Sequence, residues 1–366
     1  MAVVTSQIVT VNAIVSVAPT PSQLQQSGAL VSVGGTTQTV GTYTYYGTIG
    51  AVVAALSSSG NYQEIDNMAT TFFAQGNAVG LYVLELGVEG SSSAGITALG
   101  TWIAANPGIF YAYLTPAAWD ASGAALNTLA ANYSSPTGKT YFFVTTTSST
   151  ISAYAITTKA IFAVVPSQTA AGTEFQAAAF FYQWLANNPS ATSPEPPMGF
   201  RFLYGVTPWV QTGNAATITS ILSAYGNIVG TGAEGGISTA TSFRGTTMDG
   251  EQAMGWWAID WVQIQAKQQL AAAIIDGSNE NPPLYYNQNG INRLLAILVD
   301  IGNTGISYGL LQAATFAAVP FATYIAQNPG NYPAGIYNGL SATVTPQYGF
   351  ESITFNLSAL DFGSGA

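Results

Sequence analysis

The C-terminal region of the chain reads YPAGIYNGLSATVTP over residues 332–346 and GFESITFNL over residues 349–357. In the second stretch one set of alternate side chains is mostly apolar: Glu351, Ile353, Phe355 and Leu357. The other set is Phe350, Ser352, Thr354 and Asn356. A period of two with one apolar face is typical of a half-buried β-strand. Because an unpaired edge strand readily joins another chain, we expect this terminal strand to have a partner strand.

The N-terminal region shows the same tendency. Residues 3–17 read VVTSQIVTVNAIVSV, and the pattern ends at Pro19 and Pro21. Valine, isoleucine and threonine are enriched in strands because their branched side chains pack well on a pleated surface. Two strand-forming termini predict a protein that pairs with copies of itself.

The composition of the chain favours assembly and argues against nucleic-acid binding. Charged residues are 6% of the 366 residues, against about 25% in an average soluble domain. Six Lys and Arg are scattered among sixteen Asp and Glu, so the net charge is −10 and no basic patch can form for a phosphate backbone. A surface so poor in charge resembles an interface, although an acidic secreted protein is the alternative interpretation.

Cysteine and histidine are both absent from the sequence. Their absence excludes disulfides, cysteine nucleophiles, Ser-His-Asp triads and histidine-ligated haem, and it argues against structural zinc. We therefore expect no cofactor. We also expect no secretory signal, because Met1 leads directly into a polar β segment. The longest apolar stretch, residues 309–326, is interrupted by Gln312, Thr315, Pro320 and Thr323, which predicts a buried core segment rather than a membrane span.

Strand-like and helix-like segments alternate along the chain, which predicts an α/β (α+β mixed) fold around a mixed sheet. The predicted strands are residues 79–86, 109–114, 140–146, 160–165, 200–206 and 228–230. The predicted helices are residues 62–73, 95–105, 118–133, 173–187, 215–225, 249–275 and 287–302. We divide the chain into an N-terminal β arm and linker (1–35), a first α/β domain (36–165), a second α/β core domain (166–345) and a C-terminal β arm (346–366).

The acidic residues offer weak candidates for catalysis. Asp249 and Glu251 lie at the start of a predicted helix, where a cap and a favourable charge near the helix dipole explain them better than a metal or acid–base site. Glu85 and Glu89 flank a turn after a strand, and without a basic partner or a third ligand they do not define a site. A glycosidase with two carboxylates stays open as an alternative, because its acids need only be close in space.

Three stretches resemble the sheath proteins of contractile bacteriophage tails, in particular a compact, sheath-like branch of that family. The first is residues 61–86, with MATTFF at 68–73 and LYV at 81–83. The second is residues 242–261, which run from SFRGTTMDG to WWAIDW. The third and most specific is residues 320–362, with NPGNY at 328–332, GIY at 335–337 and GL at 339–340. The resemblance covers most of the chain and is strongest in the last hundred or so residues.

This resemblance implies a structural role without catalysis. Sheath subunits stack as six-fold rings around a tail tube, and on a signal from the baseplate they collapse to a shorter, wider helix that drives the tube into the cell. The implied partners are copies of the chain itself, the tail tube protein, and the baseplate and tail terminator proteins. The implied location is the tail sheath of a virion, assembled in the host cytoplasm.

In that family the terminal arms add strands to a neighbour's sheet. The resemblance therefore implies that both arms of this chain are donated strands, with residues 340–345 as the acceptor. The donated side chains are Ile8, Val9, Val11, Ile14, Val15, Ile353, Phe355 and Leu357. The acceptor side chains are Leu340, Ala342 and Val344. A different self-assembling virion or surface-layer protein and a secreted carbohydrate-active enzyme are the alternatives.

Overall fold

A computed structural model describes residues 21–34, 36–58, 62–154, 158–190, 194–232 and 235–352. Its largest sheet has six strands in the spatial order β2-β3-β1-β4-β5-β6. The strands are β1 (Gly28–Ser32), β2 (Tyr43–Tyr46), β3 (Leu81–Glu85), β4 (Ala112–Leu114), β5 (Tyr141–Thr145) and β6 (Ile161–Val164). Neighbouring strands are parallel except β2, which runs antiparallel to β3. The mixed sheet confirms the predicted fold class.

The described residues form nine α-helices, and those that pack on the large sheet cover both of its faces. The helices are α1 (Ile49–Leu56), α2 (Tyr62–Ala74), α3 (Ser92–Ala105), α4 (Gly123–Ala131), α5 (Gln176–Leu185), α6 (Ala215–Ser223), α7 (Ala253–Gly277), α8 (Gln288–Ser307) and α9 (Phe321–Gln327). Short 3₁₀ helices occupy Pro21–Gln26, Ala117–Ser122 and Ile151–Ala153. Successive strand residues point to opposite faces, so Phe143 packs in the core with α2, α5 and α7, and Phe142 packs with α3 and α4.

Two small antiparallel sheets complete the architecture. One pairs β7 (Ile228–Thr231) with β8 (Ala240–Phe243), and the other pairs β9 (Leu311–Ala318) with β10 (Leu340–Pro346). None of the described helices is both long enough and apolar enough to cross a membrane.

Several predicted elements differ from those observed. Residues 200–206 do not form a regular strand, although Phe202 makes a single bridge with Thr241 of β8. Helix α8 continues to Ser307, past the end predicted at residue 302. Residues 309–326 are not a buried core segment, because β9 and α9 are largely half-buried or exposed. The apolar composition predicted burial of this whole segment. In the structure β9 turns only one of its two faces toward the core.

The predicted N-terminal arm and linker includes a strand of the large sheet. Residues 28–32, within the segment 1–35, form β1 between β3 and β4. All five residues of β1 are buried, as the interior position of the strand requires. The remaining division of the chain into domains stays a prediction. The predicted arm residues 3–17 and 353–357 lie outside the described residues.

Helix α7 is the longest helix and joins the large sheet to the C-terminal elements. Trp257, Trp261 and Ile264 lie on its buried face, as the sequence pattern indicates, with exposed fractions of 0%, 2% and 6%. The indole N–H of Trp261 donates a hydrogen bond to the Pro189 carbonyl over 2.8 Å. Side chains of α7 belong to the same core cluster as those of β4, β5 and α5.

Trp257→Ala should lower the free energy of unfolding by about 3–5 kcal/mol, because it empties the space of a fully buried indole. Ile275→Ala is the matched control, since Ile275 is 55% exposed on the same helix and should change stability by less than about 0.5 kcal/mol. Denaturant unfolding followed by circular dichroism measures both. Equal midpoints for the two variants would contradict the packing described.

Candidate assembly surface

The sheet β9–β10 holds the residues predicted as the acceptor strand. Leu340, Ala342 and Val344 lie in β10 opposite Ala318, Phe316 and Ala314 of β9. The register is regular from Leu340 to Thr345 and shifts at Pro346. The three predicted acceptor residues therefore lie on a β-strand that is paired on one side by β9.

The two faces of this sheet have different surroundings. Leu340, Val344 and Phe316 are half-buried against the main core. Gly302 of α8 permits this approach, because a Cβ there would lie 2.5 Å from the Phe316 ring. The opposite face is exposed and consists of small or hydroxyl-bearing side chains: Ala313, Thr315, Ala317, Ser341, Thr343 and Thr345. Helices α7 and α8 thus support the sheet from one side only.

Both outer edges of the sheet are unpaired within the described residues. The Val319 N–H donates to the Gly339 carbonyl over 2.9 Å, which marks that position as a hydrogen-bonded pair. Hydrogen-bonded and non-hydrogen-bonded pairs alternate along an antiparallel ladder, so the N–H and C=O groups of Leu340, Ala342 and Val344 point away from β9. Among the described residues no main-chain group bonds to these outward groups or to their counterparts on β9. Such an edge is a template for another strand.

Neither the strands β9 and β10 nor the residues that connect them carry a charged side chain. Residues 301–350 contain no Asp, Glu, Lys or Arg, and neither do residues 1–63. Natural edge strands are commonly protected from association by charges, in particular by lysine. The edges of β9 and β10 have no such protection.

An aromatic cluster fixes the connection between β9 and β10. The Tyr324 hydroxyl accepts hydrogen bonds from the Asn331 side chain and the Asn338 N–H, each over 2.9 Å. The Tyr337 hydroxyl donates to the Val319 carbonyl over 2.6 Å. Gly335 has φ +69°, a left-handed conformation that favours glycine. Tyr324, Gly335 and Tyr337 belong to the stretch 320–362 that resembles sheath proteins. Their contacts therefore fix the conformation of the connection between β9 and β10.

After β10 the chain is tied to the start of α7. Gly349 exchanges two hydrogen bonds with the Gln252 side chain, over 2.9 and 2.8 Å. Tyr348 donates to the Glu251 carboxylate over 2.9 Å, and Arg244 pairs with Glu351 over 2.6 Å. Sequence reasoning missed Gln252 and Arg244 as partners of the C-terminal segment. Such contacts join residues about a hundred positions apart, and no local pattern signals them.

The carboxylates proposed as helix-start residues have structural partners, but the predicted cap is wrong. Helix α7 begins at Ala253 with Gln252 at its N-cap, so Asp249 does not cap it. Asp249 instead accepts hydrogen bonds from Thr247 over 2.6 Å and from the Trp256 indole over 2.8 Å. It fixes the turn that leads into the helix, which accounts for its presence without catalysis.

Glu85 is likewise a structural acceptor. It is fully buried at the end of β3 and accepts hydrogen bonds from the Ser32 hydroxyl, the Thr36 N–H and the Gly87 N–H, each over 2.7 Å. These bonds close the loops that follow β1 and β3. In the described part of the chain no three acidic side chains are grouped as metal ligands would be.

Asp260 in α7 is a buried carboxyl with a raised pKa. It is fully buried, and its Oδ2 accepts hydrogen bonds from the hydroxyls of Tyr111 and Tyr141, each over 2.8 Å. Burial raises its pKa to about 6, although nearby Lys159 and the two hydroxyls act in the opposite direction. Lys159 is itself buried, and its ammonium donates to the Gly138 carbonyl over 2.8 Å. Burial lowers the pKa of Lys159.

Asp260 should make stability fall as pH rises from about 4 to 7. The folded-state pKa of about 6 lies above the ordinary value of 3.8, so the folded chain retains a proton that the unfolded chain releases. Relative to Asp260→Asn, the wild type should lose about 3 kcal/mol over this range. Urea unfolding at a series of pH values measures the difference.

Tyr111→Phe is the matched control for that titration. It keeps the carboxyl and removes one hydrogen bond that favours its charged form, so the midpoint of the slope should move to higher pH. Parallel stability curves for wild type and Asp260→Asn would show that Asp260 does not titrate in this range.

The sequence matches no protein-family model and no curated protein. Its structure is similar over nearly the full length to a chain of the anti-feeding prophage baseplate, with TM-score 0.66, 11% identity and coverage of 98% and 99% of the two chains. It is also similar to a chain of the contracted PVC sheath complex of an extracellular contractile injection system, with TM-score 0.65, 12% identity and coverage of 99% of each chain.

A third similar structure is a sheath tail protein from Listeria innocua. Its TM-score is 0.53 and its identity 8%, and the match covers 80% of this chain and 88% of that one. The chain therefore has the fold of contractile sheath proteins. This finding confirms the resemblance inferred from the sequence.

Proposed function

We propose that this chain is a structural subunit of a contractile sheath, in a phage tail or a related injection system. The observation that carries the proposal is the uncharged sheet β9–β10, which presents two open edges on the fold of sheath proteins. An unpaired edge without charges is a template for a strand of another chain, as a polymer of identical subunits requires.

The two open edges match the two strand-forming arms of each chain. In this proposal a neighbour's residues 3–17 and another neighbour's residues 353–357 add to the outer edges of β9 and β10. Outward N–H and C=O groups of Leu340, Ala342 and Val344 pair with the donated strand, and main-chain hydrogen bonds supply most of the join. Each subunit then donates two strands and accepts two, which links it to several neighbours.

The proposed assembly consists of hexameric rings stacked around a tail tube. Contraction turns the subunits relative to one another while the donated strands keep them connected, and it drives the tube through the host envelope. The tube, the baseplate and a tail terminator are the further partners, and the virion tail is the location. The subunit has no catalytic role in this proposal.

Removal of either arm should abolish polymerisation without unfolding the subunit. Residues 1–17 and 353–366 can be deleted separately, which leaves the contacts of Gly349 with Gln252 and of Glu351 with Arg244 intact. Negative-stain electron microscopy should show hollow tubes or stacked rings for the full chain and isolated particles for both deletions. Tubes from a deleted chain would refute strand donation, and flat arrays or shells from the full chain would favour a surface-layer or other virion protein.

Ala342→Pro should block assembly through a single main-chain group. The Ala342 N–H points away from β9, so its loss costs no bond within the subunit but removes a donor from the outer edge. The melting temperature should change little, and tubes should not form. Ala342→Val keeps the N–H and is the matched control, which should form tubes as the wild type does. Equal polymerisation of the two variants would show that β10 is not an acceptor.

A further inference from the structure

Residues 200–204 display a row of exposed aromatic side chains. This segment lies beside β8 through three main-chain bonds: Phe200 N–H to Ser242 carbonyl (2.7 Å), Ser242 N–H to Arg201 carbonyl (2.9 Å) and Leu203 N–H to Ala240 carbonyl (2.8 Å). Phe200, Phe202 and Tyr204, here termed the aromatic stripe, are 47%, 47% and 50% exposed. Leu203, on the opposite face, is 1% exposed. An uncovered row of three aromatic side chains indicates a binding face.

The aromatic stripe is held in a fixed position. The Arg201 guanidinium donates to the Gln183 carbonyl and to the Asn187 side chain, each over 2.8 Å. The Gln75 amide bonds to both the N–H and the carbonyl of Tyr204, over 2.9 and 2.5 Å. Because Gln75 occupies the outer main-chain groups at Tyr204, the segment offers a partner its aromatic face rather than its edge.

The last described residues of the chain lead to the Phe200 end of this stripe. Gly349 lies against Pro197, since a Cβ on Gly349 would be 2.6 Å from the Pro197 Cβ. Glu351 is paired with Arg244, which follows Phe243. The Phe243 ring contacts the Phe200 ring with a centroid separation of 5.3 Å. The residues that follow Ser352 therefore start beside Phe200.

The sequence places three apolar residues at alternate positions after Glu351. Glu351 reaches Arg244 on the protein surface, whereas Phe350 is 81% exposed. In a continued extended chain Ile353, Phe355 and Leu357 share the side of Glu351. An extended chain from Ile353 to Leu357 covers about 13 Å, four steps of about 3.3 Å. That is long enough to follow residues 200–204, which are bent at Phe200 (φ +63°). These three side chains and those of the aromatic stripe are uncharged.

We propose that in the free subunit residues 353–357 of the same chain lie on the aromatic stripe, with Ile353 at Phe200, Phe355 at Phe202 and Leu357 at Tyr204. This contact stores the C-terminal arm and keeps it from joining other chains. Donation of the arm to a neighbour's sheet, which rests on the function proposed above, requires its release from the stripe. The contact is thus an autoinhibitory device for assembly.

A disulfide introduced into the dilute subunit tests the storage contact. The chain has no cysteine, so Tyr204→Cys with Leu357→Cys creates a unique pair and leaves Phe200, Phe202, Ile353 and Phe355 in place. Mild oxidation at low concentration should give an intrachain disulfide in most molecules, seen by non-reducing electrophoresis and peptide mass spectrometry. Absence of the disulfide, or disulfide-linked dimers at all dilutions, would overturn the proposal.

Ile275→Cys with Leu357→Cys is the matched control pair. Ile275 lies 23 residues beyond Gln252, which is about 35 Å along α7, whereas residues 353–357 extend at most about 18 Å beyond Ser352. This pair should form no intrachain disulfide. Efficient intrachain bonding of the control would show that the contacts of Gly349 and Glu351 do not hold the C-terminal segment beside the aromatic stripe, and it would also overturn the proposal.

A second experiment removes the stripe and leaves the arm intact. Phe202→Ser with Tyr204→Ser should increase the rate of proteolysis within residues 353–366 of the monomer at least several-fold and shorten the lag before tubes appear. Unchanged proteolysis would contradict storage of the arm. If no variant and no wild-type sample forms tubes, the proposed function fails, whereas the disulfide and the protease rate still decide whether the arm lies on the stripe.

Discussion

The packing of helix α7 against the large sheet is the interaction on which the rest of the molecule depends. Two tryptophans fill the interface, and Asp260 accepts hydroxyl hydrogen bonds from Tyr111 and Tyr141 at the start of neighbouring strands. The same helix also receives the Gln25 side chain at the Trp257 carbonyl, over 2.9 Å. Helix α8, the sheet β9–β10 and the C-terminal segment are then all positioned relative to α7. A shift of this helix would move the two ends of the described chain together.

Scarcity of charge determines how polar groups are satisfied inside this protein. With six cationic side chains for sixteen acids, most carboxylates accept hydrogen bonds from hydroxyl and amide groups instead. Glu85 accepts three such bonds, and Glu174 accepts bonds from the Thr207 N–H and hydroxyl over 2.9 and 3.1 Å. The ion pairs of Arg244 with Glu351 and Arg293 with Glu280 are partly or largely exposed. A buried carboxylate such as that of Glu85 favours one unique structure only when all of its hydrogen-bond donors are correctly positioned.

The sequence predicted most of the large sheet because its strands are short, apolar and bounded by turn residues. It predicted the buried face of α7 for a similar reason, since Trp257 and Trp261 are one helical turn apart. It failed where long-range contacts decide. Asp249 has the chemistry of a cap, but Thr247 and the Trp256 indole compete for its carboxylate and the helix begins four residues later. Residues 309–326 are apolar enough for a core, yet one side of β9 has no covering within the described chain. Apolar composition does not distinguish a core segment from a strand with one exposed face.

The open edges of β9 and β10 have a consequence for how the sequence can evolve. An edge that binds through N–H and C=O groups recognises the backbone, which is the same for nearly every residue type. Side chains at such a joint must keep only an alternation of inward and outward character and must avoid proline at the paired positions. A joint of the kind proposed above would therefore leave most residue identities free to change. The similar structures share this fold at 8–12% sequence identity.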